Sequence, residues 1–213
     1  MTALLAGATG LVGRELARAW DGPGLLHLLV RRPLAATVPR SQRVHVVDFA
    51  ALPPLPRADE AYCCLGTTIK AAGSQAAFRA VDLDAVLAFA RAAQRAGVRR
   101  FAVVSALGAS PRSATFYSRV KGEMEEALAG LGFASLVVAR PSLLAGDRAA
   151  LGQPPRLGER LALALTAPLT PLIPRAWRPI PAATVARAMR RALAQARPGV
   201  RLVESSELQE LGR

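Results

Sequence analysis

The sequence predicts an α/β protein built on a doubly wound parallel sheet. Short apolar runs alternate with helical patterns along most of the chain, which is typical of strands and helices packed in layers. A glycine-rich turn joins the first apolar run to the first helical pattern. The 213 residues, of which 52% are hydrophobic, can form one sizeable core. We therefore expect residues 1–213 to form a single domain.

Six apolar runs have the length and composition of buried strands. They span residues 2–7, 25–30, 43–48, 60–65, 100–105 and 133–139. Because strands of this kind alternate with helices, they are typical of a parallel sheet covered on both faces. We therefore expect these runs to form one such sheet.

Three helical patterns lie between the runs, at residues 11–20, 76–96 and 113–130. The second pattern is followed by Gly97, a helix stop signal. One link differs from the others, because residues 31–43 are few and carry two prolines. We expect the crossover helix there to be missing or reduced to a turn.

The charge of the chain first suggests a polyanionic partner. A net charge of +13 would suit a nucleic acid or an anionic lipid surface. The arginines are spread along the chain, however, and aromatic residues make up only 5% of it, too few for a platform that stacks nucleic acid bases. We therefore expect no nucleic acid partner.

Targeting signals and cysteine usage point to the cytoplasm. No apolar run reaches the roughly 18 residues of a membrane span, and the start of the chain lacks the basic leader of a signal peptide. Cys63 and Cys64 are adjacent in an apolar run, which indicates reduced, buried strand residues. His27 and His45 stand singly in strand-like runs, so we expect no metal site.

The first strand runs directly into the segment GATGLVG, which spaces Gly7, Gly10 and Gly13 three residues apart. Glycines allow a tight turn and a close approach of backbone to a diphosphate, and the free amides at the start of the next helix attract its charge. A glycine pattern alone is weak evidence. Its place between the first strand and the first helix is the context the motif requires, so we expect a phosphate-binding turn here.

Arg31 and Arg32 follow the second strand, where an acidic residue would bind the ribose hydroxyls of NAD. No carboxylate occurs between Asp21 and Asp48. A guanidinium can hold a 2′-phosphate through two parallel charge-assisted hydrogen bonds, so the arginine pair favours NADP(H). The alternative is that the two are solvated charges in an arginine-rich chain.

Tyr117 and Lys121 are four residues apart in the third helical pattern and therefore share a face. Lys121 is one of only two lysines among the 28 basic residues. An ammonium at this position could hold ribose hydroxyls and favour the phenolate of Tyr117, making that side chain a proton donor or acceptor. The alternative is a solvated charge on a helix.

Seven segments of the chain together resemble the short-chain dehydrogenase/reductase superfamily. They are GATGLVG, LVRRP, CCLGTT, FRAVD, VVSALGA, YSRVKGEME and RPSLLAGDR. Within the superfamily the chain is similar to the atypical, extended-like NAD(P)H-binding proteins akin to the Tat-interactive-protein oxidoreductases and their bacterial relatives. The resemblance covers nearly the whole chain.

The resemblance implies a Rossmann-like fold that binds NADP(H). It implies cofactor contacts from the glycine turn, from the arginine pair and from the segment after the fourth strand. These residues are Gly7, Thr9, Gly10, Leu11, Val12, Gly13, Arg31, Arg32, Leu65, Gly66, Thr67 and Thr68. It also implies that Tyr117 and Lys121 are a catalytic pair that contacts the cofactor.

Ser105 is the third candidate catalytic residue, because the superfamily places a Ser or Thr near the end of the fifth strand to orient the substrate carbonyl. Here Ala106 and Leu107 follow Ser105. If the working hydroxyl belongs at either of those positions, it is absent, and carbonyl polarisation is weaker. Three functions therefore stay open: an NADP(H)-dependent oxidoreductase acting on a carbonyl or alcohol, a non-catalytic NADP(H)-binding sensor, and, third, a nucleotide-sugar epimerase or dehydratase.

Residues 147–181 should form the substrate side, as the resemblance implies. Their centre, LALALTAPLTPLIP, is apolar and contains three prolines, and arginines flank it. We expect a lid over an apolar pocket, and hence a small apolar carbonyl as the partner. The alternatives are that the leucines pack onto the sheet as core, or that the segment contacts a membrane surface. We expect a monomer or a homodimer.

Overall fold

The computed structural model of the chain describes residues 1–145, 174–195 and 197–213. Its strands are β1 (Ala3–Ala6), β2 (Leu26–Val30), β3 (Gln42–Val46), β4 (Glu60–Cys63), β5 (Arg100–Val104), β6 (Ser135–Arg140), β7 (Leu144–Ala145), β8 (Ile180–Pro181) and β9 (Gly199–Glu204). In the described residues, seven of these form one parallel sheet in the order β3-β2-β1-β4-β5-β6-β9. The short strands β7 and β8 pair separately.

Helices cover both faces of this sheet. They are α1 (Leu11–Arg18), α2 (Ile69–Ala72), α3 (Gln75–Arg79), α4 (Ala85–Arg95), α5 (Phe116–Ala129), α6 (Ala182–Ala194) and α7 (Ser205–Leu211). A π-helical segment, Ala80–Asp84, joins α3 to α4, and a 3₁₀ turn spans Arg175–Trp177. No helix in the described ranges has the length and apolar composition needed to cross a bilayer.

The chain reverses its direction of winding between β1 and β4. From β1 it proceeds outward to β2 and β3, and it then returns to place β4 on the other side of β1. The carboxyl ends of β1 and β4 lie side by side, with Ala6 opposite Cys63. In open α/β sheets, ligands bind in the crevice at such a switch point.

The core has two layers because successive strand residues point to opposite faces of the sheet. The layer beneath α3, α4 and α5 contains Phe78, Phe89, Phe101 and Met124. The layer beneath α1 and α6 contains Leu5, Leu16, Val185 and Met189. Both layers are fully buried at these positions, so the crevice rests on a packed base.

The structure confirms the predicted strands and helices, with ends that differ by at most three residues, and it divides the second predicted helix into α3, the π-helical segment and α4. Residues 31–41 contain no helix, as the two prolines indicated. Cys63 is a buried residue of β4, whereas Cys64 follows the strand and is half-buried. β9, α6 and α7 were not predicted from the sequence; they complete the sheet at its far edge and cover it.

Candidate cofactor and active site

The glycine turn connects β1 to α1 through contacts between backbones. Gly7 has a φ of +84°, and a Cβ there would lie 2.4 Å from the Cys64 carbonyl carbon. A Cβ on Gly13 would lie 2.1 Å from the Gly7 carbonyl oxygen. Glycine is therefore required at both positions, the first for its conformation and both for space. Gly10 differs, because a Cβ there would stay 3.4 Å from the nearest atom.

The start of α1 has the chemistry of an anion site. Its N-cap is Gly10, no side chain caps the helix, and its first turn has no acidic residue. The first backbone amides of a helix have no partner within it, and the helix dipole adds positive potential there. Val12 and Leu16 anchor the helix in the core. The open amides and the close-packed glycines fit a diphosphate, so this turn could hold the dinucleotide implied by the resemblance.

Arg31 and Arg32 lie immediately after β2, on the carboxyl side of the sheet. Both are exposed. β2 pairs with β1, so the two arginines leave the sheet one strand away from the glycine turn. The nearest following carboxylate, Asp48, accepts a hydrogen bond from the Ala50 amide in its own turn. The arrangement can therefore offer two guanidinium groups to a phosphate near the turn.

Residues 65–68 leave β4 on the other side of the same crevice. Leu65 and Gly66 are followed by Thr67, whose amide donates to Asp82 Oδ2 at 2.8 Å. The Thr68 hydroxyl accepts from the Ala71 amide and caps α2. Both threonines therefore fix the loop: the Thr67 amide binds the Asp82 carboxylate, and the Thr68 hydroxyl binds the start of α2.

Lys121 lies directly beneath this loop. A Cβ on Gly66 would be 3.7 Å from Lys121 Nζ and 3.3 Å from Asp82 Oδ1. Nζ is 2.7 Å from Asp82 Oδ1 and 3.5 Å from the Val104 carbonyl oxygen. Lys121 is 3% exposed and Asp82 is fully buried. Among the described residues no hydrogen bond of good geometry reaches Oδ1, so the ion pair is what compensates its charge.

The ion pair controls the protonation of the lysine. Burial alone would lower the pKa of Lys121 because it disfavours the charged form. The Asp82 carboxylate, with smaller effects from Tyr117 and Cys63, outweighs burial and raises the pKa of Lys121. The ammonium therefore stays charged at neutral pH.

Tyr117 occupies the first turn of α5, one turn before Lys121 on the same face. It is 36% exposed, and its ring lies 5.4 Å from that of Phe78. The site therefore combines an accessible phenol with a buried ammonium under a loop at the crevice. The structure places the predicted residue Lys121 next to Gly66 and, through Asp82, next to Thr67, and it places Tyr117 one helical turn away from Lys121.

Ser105 follows β5 and is only 4% exposed. Its hydroxyl donates a hydrogen bond to the Glu125 carboxylate on α5. Arg140 donates to both oxygens of Glu125 and, at 3.0 Å, to Glu204 on β9. The hydrogen bonds that Arg140 donates to the Glu125 carboxylate raise the pKa of Arg140. Ser105 therefore belongs to a buried polar network that ties α5 to β6 and β9.

Asp82 and Glu125 are the site residues that the sequence analysis missed. Asp82 lies in the predicted second helix, four residues after Phe78 and seven before Phe89, on its apolar face. A carboxylate among core positions was the available signal, since buried charges are paired. Glu125 lies four residues after Lys121 and eight after Tyr117, so all three residues share one face of the helix.

Most of the predicted lid, residues 147–173, lies outside the described residues. The remainder begins at Pro174 and continues through the 3₁₀ turn, in which Trp177 is 67% exposed. Arg175 pairs with Glu210 at 3.1 Å. Ile180 and Pro181 then pair with Leu144 and Ala145. The last two residues of the predicted lid therefore pair with β7, which precedes it in the chain.

Two curated proteins resemble this chain over most of its length. Residues 7–142 match the family described as NAD(P)H-binding. Protein HTATIP2 of Rattus norvegicus is 35% identical over 97% of this chain and 87% of that protein. Protein FMP52, mitochondrial, of Coccidioides immitis is 33% identical over 69% of this chain and 67% of that protein.

A solved structure, MoeE5 in complex with UDP-glucose and NAD, shares the fold. It superposes with a TM-score of 0.71 at 18% identity, covering 95% of this chain and 75% of that chain. Together with the strand order, this likeness confirms the predicted Rossmann-like, doubly wound sheet. At such low identity it carries no conclusion about chemistry.

Proposed function

This chain belongs to the NAD(P)H-binding family, in its atypical short-chain dehydrogenase/reductase branch, and on that premise we propose that it is an NADP(H)-dependent oxidoreductase. It transfers a hydride to or from a carbonyl or alcohol substrate. The observation that carries the proposal is the accessible phenol of Tyr117, one helical turn from the buried ammonium of Lys121 beneath the loop at residues 65–68.

The residues that would hold the cofactor lie around the switch point of the sheet. The glycine turn and the start of α1 would hold the diphosphate, and residues 65–68 would pass beside the cofactor. Arg31 and Arg32 support a choice of NADP(H) over NAD(H), because their charge and exposure suit a 2′-phosphate. When bound, the nicotinamide supplies or accepts the hydride.

Tyr117 serves as the general acid and base. In the reducing direction its hydroxyl donates a proton to the carbonyl oxygen, and in the oxidising direction the phenolate accepts one from the alcohol. Lys121 provides a charge that persists at neutral pH and that can hold ribose hydroxyls. Tyr117 would thus act through its accessible hydroxyl, and Lys121 would act through its charge from beneath the loop at residues 65–68.

An apolar carbonyl is the substrate class we favour. The supporting observation is the composition of residues 161–174, where six leucine or isoleucine residues stand among three prolines. Such a segment offers few partners for sugar hydroxyls, and an unpaired buried polar group costs about 1–3 kcal/mol. Aldehydes and ketones with alkyl chains should therefore outcompete UDP-sugars as substrates. Turnover of UDP-sugars alone would favour the epimerase alternative.

A non-catalytic NADP(H)-binding protein is the second candidate, and one observation favours it. Ser105 donates its hydroxyl to Glu125, and Ala106 and Leu107 follow it without a hydroxyl. A site that has Tyr117 but no free serine hydroxyl as a second donor to the substrate carbonyl would turn over slowly. Such a protein would bind NADP(H) without turning it over and would act as a sensor of the cofactor's redox state.

A cytoplasmic location stays a prediction. The name of the relative from Coccidioides immitis includes the word mitochondrial, which refers to that protein and not to this chain. Fractionation of cells that express the natural gene would assign the compartment.

Binding and turnover assays separate the two candidates. Calorimetry should detect NADPH binding by the parent protein, and a panel of aldehydes, ketones and quinones should reveal NADPH oxidation. Tyr117→Phe should lower turnover by about 10²-fold or more, the usual share of general acid catalysis, with NADPH affinity unchanged. Binding without oxidation of NADPH across the panel would support the sensor. Absence of binding to both NADPH and NADH would refute both candidates.

A further inference from the structure

We propose that Asp82 is a positioning residue of the nicotinamide site, which holds the Lys121 ammonium in place beneath the loop at residues 65–68. The inference rests on the proposed function for its ligand. Its geometric part concerns the free protein and can be tested without a cofactor.

The first observation is that one carboxylate joins three parts of the crevice. Asp82 lies in the π-helical segment, its Oδ1 is 2.7 Å from Lys121 Nζ on α5, and its Oδ2 accepts from the Thr67 amide. The loop and the lysine thus share one anchor. Loss of that anchor would release both from their present positions.

The second observation is the local backbone. A π-helical turn is wider than an α-helical one and frequently marks a functional site. Here the wide turn, Ala80–Asp84, interrupts a helix that is otherwise regular from Gln75 to Arg95. Asp82 is the fully buried charge at its centre, whereas Asp84 is exposed. The irregularity therefore coincides with the residue that reaches the lysine.

The third observation is the fit of the loop over the pair. A Cβ on Gly66 would come within 3.3 Å of Asp82 Oδ1, which is closer than ordinary side-chain contact. The loop backbone therefore covers the ion pair without an intervening side chain. Any displacement of Lys121 toward the loop would change the surface on which a ribose could rest.

A purely structural role would not account for this arrangement. Buried ion pairs contribute little net stability, because the cost of removing two charges from water nearly cancels their attraction. An apolar pair of similar volume could fill the same space without loss of folding stability. A charged pair directly under a cofactor loop is instead suited to presenting a cation in a fixed place.

The charges around Lys121 determine how it responds to pH. The groups that face it are Asp82, Tyr117, Cys63 and the Val104 carbonyl. Asp82 is the largest of the favourable influences that raise the pKa of Lys121 against its burial. Removal of that carboxylate charge leaves burial dominant, so the ammonium would lose its proton at a lower pH.

The first experiment uses the fact that the chain has only two lysines, Lys70 and Lys121. Selective ¹³Cε labelling of lysine gives two NMR resonances, and the exposed Lys70 serves as an internal reference. In the parent protein Lys121 should titrate above the ordinary range of a lysine side chain. In Asp82→Asn, which keeps an oxygen for the Thr67 amide, Lys121 should titrate at a lower pH than in the parent.

Asp84→Asn is the matched control, because it removes the same charge from the same segment on the exposed side. It should leave the titration of Lys121 unchanged. An unchanged titration of Lys121 in Asp82→Asn would overturn the proposal, whatever the protein binds.

The second experiment measures the Kd for NADPH between about pH 7 and 10. An ordinary lysine keeps its proton over most of this range, so loss of the Lys121 proton there would report a lowered pKa. The parent protein and Asp84→Asn should show the same shallow pH dependence. Asp82→Asn should bind about tenfold more weakly at neutral pH, and its Kd should rise further with pH. An affinity and a pH profile equal to those of the parent would refute the positioning role.

The two experiments separate failure of this inference from failure of the proposed function. A parent protein that binds neither NADPH nor NADH would refute the proposed function and the ribose-positioning part of the inference. The lysine titration would still decide the relation between Asp82 and Lys121.

A further variant covers the case in which Asp82→Asn does not fold. The double variant Asp82→Asn with Lys121→Met removes both charges, keeps an oxygen for the Thr67 amide and should recover the thermal stability of the parent, because the defect of the single variant is an unpaired buried charge. A double variant as unstable as Asp82→Asn would contradict the assigned pairing.

Discussion

The hydroxyl of Ser105 donates a hydrogen bond to the buried carboxylate of Glu125. That carboxylate also accepts two hydrogen bonds from Arg140, which reaches on to Glu204. The hydroxyl expected to polarise a substrate carbonyl is thus engaged by the protein itself. Ser105 connects the end of β5 to α5, and this connection supports the helix that carries Tyr117 and Lys121.

We expect Ser105→Ala to affect stability more than chemistry. Loss of a hydrogen bond to a charged group should lower the free energy of unfolding by about 1–3 kcal/mol. NADPH affinity should not change, and any kcat should fall by less than about tenfold. Urea titration and calorimetry measure the first two quantities. A large fall in kcat with unchanged stability would assign Ser105 a catalytic role instead.

Glu125→Ala should destabilise the protein more than Ser105→Ala does. The substitution removes the acceptor for Ser105 and leaves Arg140, whose side chain is 18% exposed, with Glu204 alone. We expect a loss of about 2–4 kcal/mol in the free energy of unfolding. Glu126→Ala, at the next and exposed position, should stay within about 0.5 kcal/mol of the parent. Equal losses in the two variants would exclude the network as a source of stability.

Two glycines of the turn should separate folding from cofactor binding. In Gly13→Ala the new Cβ meets the Gly7 carbonyl oxygen at 2.1 Å, so α1 must shift and stability should fall by about 3 kcal/mol or more. In Gly10→Ala the Cβ stays 3.4 Å from the nearest atom, so the cost should be about 1 kcal/mol or less. Gly10→Ala should nevertheless weaken NADPH binding, because the methyl group stands at the helix start. Undiminished NADPH affinity in Gly10→Ala would place the diphosphate elsewhere.

The arginine pair should determine the choice between NADPH and NADH. Arg31→Ala combined with Arg32→Ala should reduce the preference for NADPH by about tenfold or more, since charge-assisted bonds to the 2′-phosphate are lost. NADH affinity should change little. Arg40→Ala, in the same exposed loop, is the control and should keep the preference. Equal affinities for the two cofactors in the parent protein would contradict the assignment.

The two histidines should make the fold sensitive to mild acid. His27 Nδ1 and His45 Nε2 are 2.8 Å apart, and burial lowers the pKa of both, with Arg43 adding repulsion. The folded state therefore binds fewer protons than the unfolded state once the pH falls below about 6.5, so stability should be highest above that pH and decline below it.

The chain has no other histidine, so the effect can be isolated. Free energies of unfolding measured by urea titration should fall between about pH 7.5 and 5.5. The double variant His27→Gln with His45→Gln should show a smaller fall over the same range. An identical pH dependence would mean that other groups cause it.

Much of the fold could be predicted because its signals are local. Buried strands between helices appear as short apolar runs, and the phosphate-binding turn appears as three evenly spaced glycines. The far edge of the sheet was missed, because β9 exposes Val200 and Leu202 and so lacks the pattern of a central strand. α6 was also missed, although Val185, Met189 and Leu193 recur every four residues among alanines and arginines, which is a helical spacing.

The sequence by itself determined which side chains meet along one element. Tyr117 and Lys121 share a face because an α-helix brings residues four apart together, and Arg31 follows β2 because chain order places it there. Only the tertiary structure decided what those side chains pair with. Asp82 reaches Lys121, and Glu125 reaches Ser105, across elements that the sheet brings together. The physical reason is that a charge or hydroxyl removed from water must find a partner in space, and packing determines which one is near.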